Sequence, residues 1–241
     1  SDLFQKVALD NEEVTTLDGA VNKTAILLGL TILTASISWN FQGPMMGLIS
    51  GIGVAAAMIS AIATFGLWIF SWIIKPTPHR APYTAPIYAA GMGFAIGLIS
   101  QQFESLFPGI VIQAVSLTFF VAASLLLLYK TGVIRPDQNF LLIMACATLG
   151  IFFTYIANIF YAMATGSSFS IITDTGLMGI GFSLFVVVIA ALNLVLDFDI
   201  IEQAAETRAP KYMEWFGAMA LVMTLIWLYL EILRLLAKLR S

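Results

Sequence analysis

Long apolar runs, separated by short polar or Pro/Gly-containing breaks, make up most of this chain. Crossing the hydrocarbon core of a bilayer takes about 20 apolar residues in a helix. The pattern therefore predicts an all-α integral membrane protein, with a seven-transmembrane-helix bundle over residues 20–241. Residues 1–19 are polar and acidic, unlike a cleavable signal peptide, and are predicted to form a short aqueous arm. The helices are expected at roughly 21–40, 45–74, 83–103, 109–129, 139–163, 176–205 and 211–238.

Lysine and arginine are unevenly divided between the two ends of these predicted helices. Cytoplasmic loops carry the excess of basic residues in membrane proteins. The distribution therefore predicts a multi-pass protein with its N-terminus and arm in the cytoplasm and its C-terminus outside. The basic residues at the C-terminal end favour an alternative, in which the last segment re-enters the bilayer and returns them to the cytoplasm. Eight lie on the N-terminal side and three on the other: Lys6, Lys23, Lys75, Arg80, Lys130, Arg135, Arg208 and Lys211, against Arg234, Lys238 and Arg240.

Composition excludes several classes of function. Sixty per cent of the residues are apolar and 10 % are charged, whereas a soluble domain carries roughly 25 % charged residues. The lipid bilayer is thus the expected surroundings, and a net charge of −3 gives no reason to expect nucleic acid. Cys146 and His79 are the single cysteine and histidine, which leaves no metal-binding spacing and no base placed to activate a serine. We expect neither an enzyme nor a cofactor.

A few polar groups interrupt the apolar runs of the predicted helices. Ionisable side chains at membrane depth are costly and are therefore candidates for function. Two aspartates lie in ALNLVLDFDIIEQ of the sixth predicted helix, and one glutamate lies in LIWLYLEILRLL of the seventh. The alternatives are a solvated helix end for the aspartates and a structural pair with Arg234, three residues on, for the glutamate. The candidates for gating are Asp197, Glu231 and Asp199, and those for lining a pathway are Asn193, Asn158 and Arg234.

Paired carboxylates could make such a protein sensitive to pH. Two carboxylates held close together in a low dielectric cannot both ionise, so they share a proton that holds two helices together. Loss of that proton adds repulsion and separates the helices. The deprotonated oxygens also suit a hard cation such as Ca²⁺, which makes Asp197 a candidate calcium ligand.

Three stretches of the sequence, with the hydropathy plan of nearly the whole chain, resemble the prokaryotic branch of the Bax-inhibitor (transmembrane BAX inhibitor motif) family. They are TLDGAVNKTAILL at 16–28, ALNLVLDFDIIEQ at 191–203 and APKYMEWFGAMALVMTLIWLYLEILRLLAKLRS at 209–241. The resemblance implies a seven-helix fold with the last helix central. It also implies a pH-sensitive calcium (cation) leak channel of the inner membrane, gated by a carboxylate pair at the positions matched by Asp197 and Glu231.

The spacing of the two matched residues departs from the family's pattern. They are 34 residues apart, and a hairpin turning near residues 208–210 would leave their depths different by about 15 Å, at ~1.5 Å per residue. Either the turn is displaced, or the last helix is broken, or Glu231 faces another part of the pathway.

A second function class is a membrane regulator that transports nothing. Some bacterial relatives of the family resemble modulators or substrates of a membrane-anchored AAA protease, engaged through a cytoplasmic N-terminal arm. The polar stretch 1–19 suits that alternative.

Overall fold

The described part of the chain is almost entirely helical. The computed structural model describes residues 14–40 and 80–241. Within them there is no strand, and Val14 and Pro210 form one isolated antiparallel bridge. The predicted segment 45–74, most of the predicted arm and His79 lie outside the described residues. The helices are α1 (Leu17–Trp39), α2 (Ala81–Leu106), α3 (Ile110–Lys130), α4 (Gln138–Thr165), the short α5 (Ser170–Thr173), α6 (Leu177–Glu206) and α7 (Tyr212–Arg240).

Local capping chemistry sets several of the helix ends. The Thr16 side chain accepts a hydrogen bond from the Gly19 amide, and α1 therefore begins at Leu17, before the polar stretch 1–19 has ended. Asp137 caps α4 in the same way, through the Phe140 amide at 2.7 Å. Gly166 ends α4 with φ of 72°, a left-handed conformation that favours glycine. The other predicted bounds lie close to those of α2, α3, α4, α6 and α7.

Six of these helices, all except α5, are long and apolar enough to cross a membrane. Large apolar side chains on the outward faces of α3 and α4 are exposed, among them Leu127, Leu142 and Phe160. In a bilayer such side chains face lipid and need no covering protein. The chain is thus a multi-pass membrane protein. Among the described spans, the longest are α6, with 30 residues, and α7, with 29.

The last helix lies at the centre of the described bundle. Helix α7 packs against α6, α1, α3 and α2. Half of its most apolar stretch is buried, compared with 17 % in α1, α3 and α4. Its Leu228 and Leu233 are fully enclosed, in one cluster with Leu27 of α1 and Leu194 of α6.

Helices α1 and α2 pack side by side and run in the same direction. A side-chain carbon at Gly93 would lie 2.3 Å from the Thr31 carbonyl oxygen, and one at Gly97 would lie 2.3 Å from that of Ala35. Glycine at these two positions therefore lets the backbones touch, as small residues do between helices in lipid. The contact moves four residues towards the C-terminus on both helices, from Thr31 with Gly93 to Ala35 with Gly97. Helices α1 and α2 therefore begin at the same end of the bundle.

This parallel packing predicts which helix ends share a side of the membrane. We expect single cysteines at Asp18 and Arg80, in a Cys146→Ser background, to react with a membrane-impermeant thiol reagent from one side. Cysteines at Asn40 and Ser105 should react from the other side. The measurement is labelling of intact and of opened vesicles. Labelling of the Asp18 and Arg80 positions from opposite sides would contradict the packing.

Candidate functional site

Asp197 is a buried acidic side chain that no described lysine or arginine pairs with. It lies in α6, where it is 8 % exposed, and the neighbouring Leu194 and Val195 are fully buried. Within residues 14–40 and 80–241, its Oδ2 atom has no hydrogen-bond partner. Thr224 of α7 contacts the carboxyl, but its hydroxyl also donates to the Ala220 carbonyl at 3.2 Å. A carboxylate so placed is costly when charged, because one shared hydroxyl replaces its hydration.

The structure does not bring Asp197 and Glu231 into contact. No hydrogen bond or ion pair joins these two described residues. Thr224, which faces Asp197, lies seven residues before Glu231 on α7. At ~1.5 Å per residue this places Glu231 about 10 Å further along the helix axis. Of the three explanations considered for the long spacing, the structure therefore favours the one in which Glu231 faces another part of the bundle.

Glu231 belongs to a separate cluster that supplies its carboxylate with ionic and hydrogen-bonding partners. It is 2 % exposed, and Arg234 Nη1 donates to its two oxygens at 2.8 and 2.7 Å. The Tyr155 hydroxyl lies 3.1 Å from Oε1, and the Trp227 indole nitrogen lies 3.3 Å from it. Arg234 also donates to Tyr155 at 2.6 Å. A buried charge with a cation and further donors is neutralised in place, so the cluster ties α4 to α7.

Asp199 points away from Asp197, as residues two apart on a helix do. It accepts hydrogen bonds from Gln203 Nε2 at 2.5 Å and from the Tyr129 hydroxyl at 3.3 Å. Tyr129 also donates to Glu202. Asp199 therefore takes part in a contact between α6 and the end of α3, and it is not enclosed with Asp197.

The two asparagines lie on different parts of the bundle. Asn193, one turn before Asp197, donates to the Ile189 carbonyl at 2.8 Å and to the Thr148 hydroxyl of α4 at 3.1 Å. Asn158 accepts from the Phe169 amide at 2.7 Å and thereby holds the loop after α4. Asn193 is thus near Asp197 along α6, whereas Asn158 supports a loop.

Two buried charges of α7 were not among the predicted site residues. Glu214 is fully buried and bound by residues 16 and 23 of the N-terminal region. Lys238 is 7 % exposed, and its Nζ donates to the Gly179 carbonyl of α6 at 2.9 Å. The available signal was their position inside the stretch 209–241, which carries the family resemblance. Their distant partners could not be derived from spacing within that stretch.

The described residues hold no ready-made metal cage. No group of three or more His, Cys, Asp or Glu side chains within them could bind an ion. Ca²⁺ takes six to eight oxygen ligands, and Asp197 with Thr224 supplies a carboxylate and a hydroxyl. The arrangement suits brief contact with a passing cation better than tight binding.

These observations define a polytopic helical membrane protein in which the carboxyl of Asp197 lies buried beside the central helix, unpaired among the described residues. The family model described as Bax inhibitor 1 like matches residues 2–241. The chain therefore belongs to this family, which confirms the resemblance drawn from its sequence. No curated protein matches it.

The Glu231 cluster predicts a graded loss of stability. Glu231→Gln leaves Arg234 without its counter-charge and should cost about 2–3 kcal/mol, below the ~3–5 typical of a fully buried pair because the Arg234 side chain is 36 % exposed. Tyr155→Phe removes one hydroxyl and should cost about 1 kcal/mol. Thermal unfolding in detergent measures both. A Glu231→Gln protein no less stable than Tyr155→Phe would contradict this account.

Proposed function

We propose that the protein is a pH-sensitive cation leak of the inner membrane that passes Ca²⁺, and that the protonation state of Asp197 controls it. The observation that carries this proposal is the Asp197 carboxyl, which is buried in the bundle and has one oxygen that no described residue hydrogen-bonds. Intramembrane carboxyls of this kind commonly mark ion pathways and proton relays. Family membership supports the same class of function without specifying the ion.

Protonation changes what Asp197 requires of its surroundings. The neutral acid fits a site that offers one hydroxyl from Thr224. The charged form requires water or a cation, since Glu231 already takes the Arg234 charge two turns away. Deprotonation therefore favours an arrangement of α6 and α7 that lets water or a cation reach the carboxylate. In this mechanism Asp197 acts alone, and the Glu231 cluster is a fixed support.

The proposed topology has seven crossings, with the N-terminus in the cytoplasm and the C-terminus outside. Helices α1 and α2 begin at the same end of the bundle, so Asn40, which follows α1, and Arg80, which precedes α2, lie at opposite ends. The seventh crossing is proposed for the uncharged sequence 45–74, which has the length and composition that a span needs. The excess of lysine and arginine on the N-terminal side supports the orientation.

Calcium flux in liposomes tests the role of Asp197. We expect the leak of the purified protein to rise from acid to alkaline pH, by no more than about tenfold per pH unit because one proton is released. Asp197→Asn mimics the protonated form and should abolish the leak at every pH. Asp199→Asn is the matched control: it removes the same charge two residues away, on a face that contacts Tyr129, and should keep the pH dependence.

The same experiment separates the leak from the regulatory alternative. Flux that is independent of Asp197 would contradict the gating role. No flux at any pH, together with binding to a membrane-anchored AAA protease that requires residues 1–13, would favour the regulator. Val14, the residue that follows this segment in the sequence, pairs with Pro210 in the α6–α7 turn.

A further inference from the structure

Glu214, at the start of α7, takes all of its described hydrogen-bonding and ionic partners from the opposite end of the chain. Its Oε1 accepts hydrogen bonds from the Thr16 amide and the Thr16 hydroxyl, both at 3.0 Å. Its Oε2 lies 3.0 Å from the Lys23 ammonium. The carboxylate is 0 % exposed, although it lies in the first turn of its helix. Removing residues 16–23 would thus take away every partner that the structure gives this charge.

Gly19 makes room for that carboxylate. A side-chain carbon at this position would lie 2.0 Å from Glu214 Oε1 and 2.2 Å from its carboxyl carbon. By contrast, a side-chain carbon at Gly29 of the same helix would meet nothing within 4 Å. The absence of a side chain at Gly19 is therefore a condition for the contact.

The N-terminal segment that binds Glu214 also holds the turn between α6 and α7, through a different residue. The Thr15 amide donates to the Ala209 carbonyl at 2.8 Å, and the Thr15 hydroxyl donates to the Pro210 carbonyl at 2.8 Å. Just before Ala209, Arg208 has φ of 50°. A non-glycine residue in the left-handed region is strained, and it persists where its surroundings hold it there. The turn is therefore a strained element held by Thr15, the residue directly before the Thr16 that binds Glu214.

We infer that these contacts, between residues 14–23 and residues 209–214, form a releasable N-terminal latch that holds α7 closed against α6. When the latch is closed, Glu214 is paired and Arg208 is strained. When it is open, Glu214 gains water and the turn relaxes. In the closed arrangement the paired charge offsets the backbone strain, and in the open one hydration and relaxation offset the lost contacts. A conformational switch requires two arrangements of this kind.

The latch lies on the hairpin that carries the proposed gate. Asp197 is on α6, and its neighbour Thr224 is on α7, ten residues after Glu214. A displacement of the start of α7 changes the distance between the hydroxyl and the carboxyl. Release of the latch should therefore raise the leak, a consequence that rests on the proposed function. Residues 1–13 directly precede the latch, so binding or pulling on them is the natural way to open it.

Matched substitutions test the latch in the full chain. Gly19→Ala displaces the Glu214 carboxylate, with Gly29→Ala as its control. Glu214→Gln removes the charge, with Glu206→Gln, an exposed glutamate in the neighbouring turn, as its control. Hydrogen–deuterium exchange in nanodiscs should become at least severalfold faster over residues 14–24 and 209–216 in the two latch variants alone. Lys23→Met replaces Glu214→Gln if that protein cannot be reconstituted.

Calcium flux from the same preparations tests the regulation. We expect Gly19→Ala and Glu214→Gln to leak faster than the parent, and the addition of Asp197→Asn to abolish the increase. Unchanged exchange in the latch variants overturns the latch whatever the flux. Faster exchange with unchanged flux overturns its control of the leak. Faster exchange with no flux from any protein, parent included, supports the latch and contradicts the proposed function.

Discussion

The cost of removing charge from water governs the interior of this bundle. Helix α7 lies at the centre and yet carries Glu214, Glu231 and Lys238 in buried positions. Glu214 is bound by the N-terminal segment, and Lys238 donates to a backbone carbonyl of α6. Glu231 pairs with Arg234 of α7 itself, and the Tyr155 hydroxyl joins that pair to α4. The bonds that compensate these buried charges therefore also link the central helix to its neighbours.

Asp197 differs from these three buried charges in how little compensates its carboxyl. Its carboxyl is enclosed like the others, but the polar group that it meets in the described part of the chain is a threonine hydroxyl that has a second acceptor. In a bundle where other buried charges are satisfied, an unsatisfied one is where a change of protonation has most effect on conformation. In the proposed mechanism, the Glu231 cluster would keep α4 and α7 together while the surroundings of Asp197 rearrange.

The sequence predicted the helices well because apolar length alone decides them. Runs of about 20 apolar residues have few alternatives in a bilayer, and the described spans follow those runs. The same physics marked Asp197 as a buried carboxyl. Sequence spacing could not decide whether Glu231 contacts Asp197 or Arg234. That choice depends on how α7 is rotated about its axis and how deep each residue lies, and spacing gives these only to within a turn or two.

Partners distant in sequence were beyond such an argument. Glu214 lies near the start of the last predicted helix, and nothing local in the sequence links it to Thr16 or to Gly19, almost 200 residues away. A glycine that exists to accommodate another helix's side chain looks like any small residue at an interface. The family resemblance adds one clue, because two of the stretches that carry it, 16–28 and 209–241, contain the two sides of this contact.

The lengths of the two central helices connect the proposed gate to the lipid. At ~1.5 Å per residue, α6 and α7 each measure about 45 Å, well beyond a ~30 Å hydrocarbon core. A bilayer accommodates such excess by tilt or by local thickening. Because the two helices share one hairpin, a change of tilt moves Asp197 and Thr224 in depth together. Bilayer thickness would therefore alter how much of the surrounding water that carboxyl can reach.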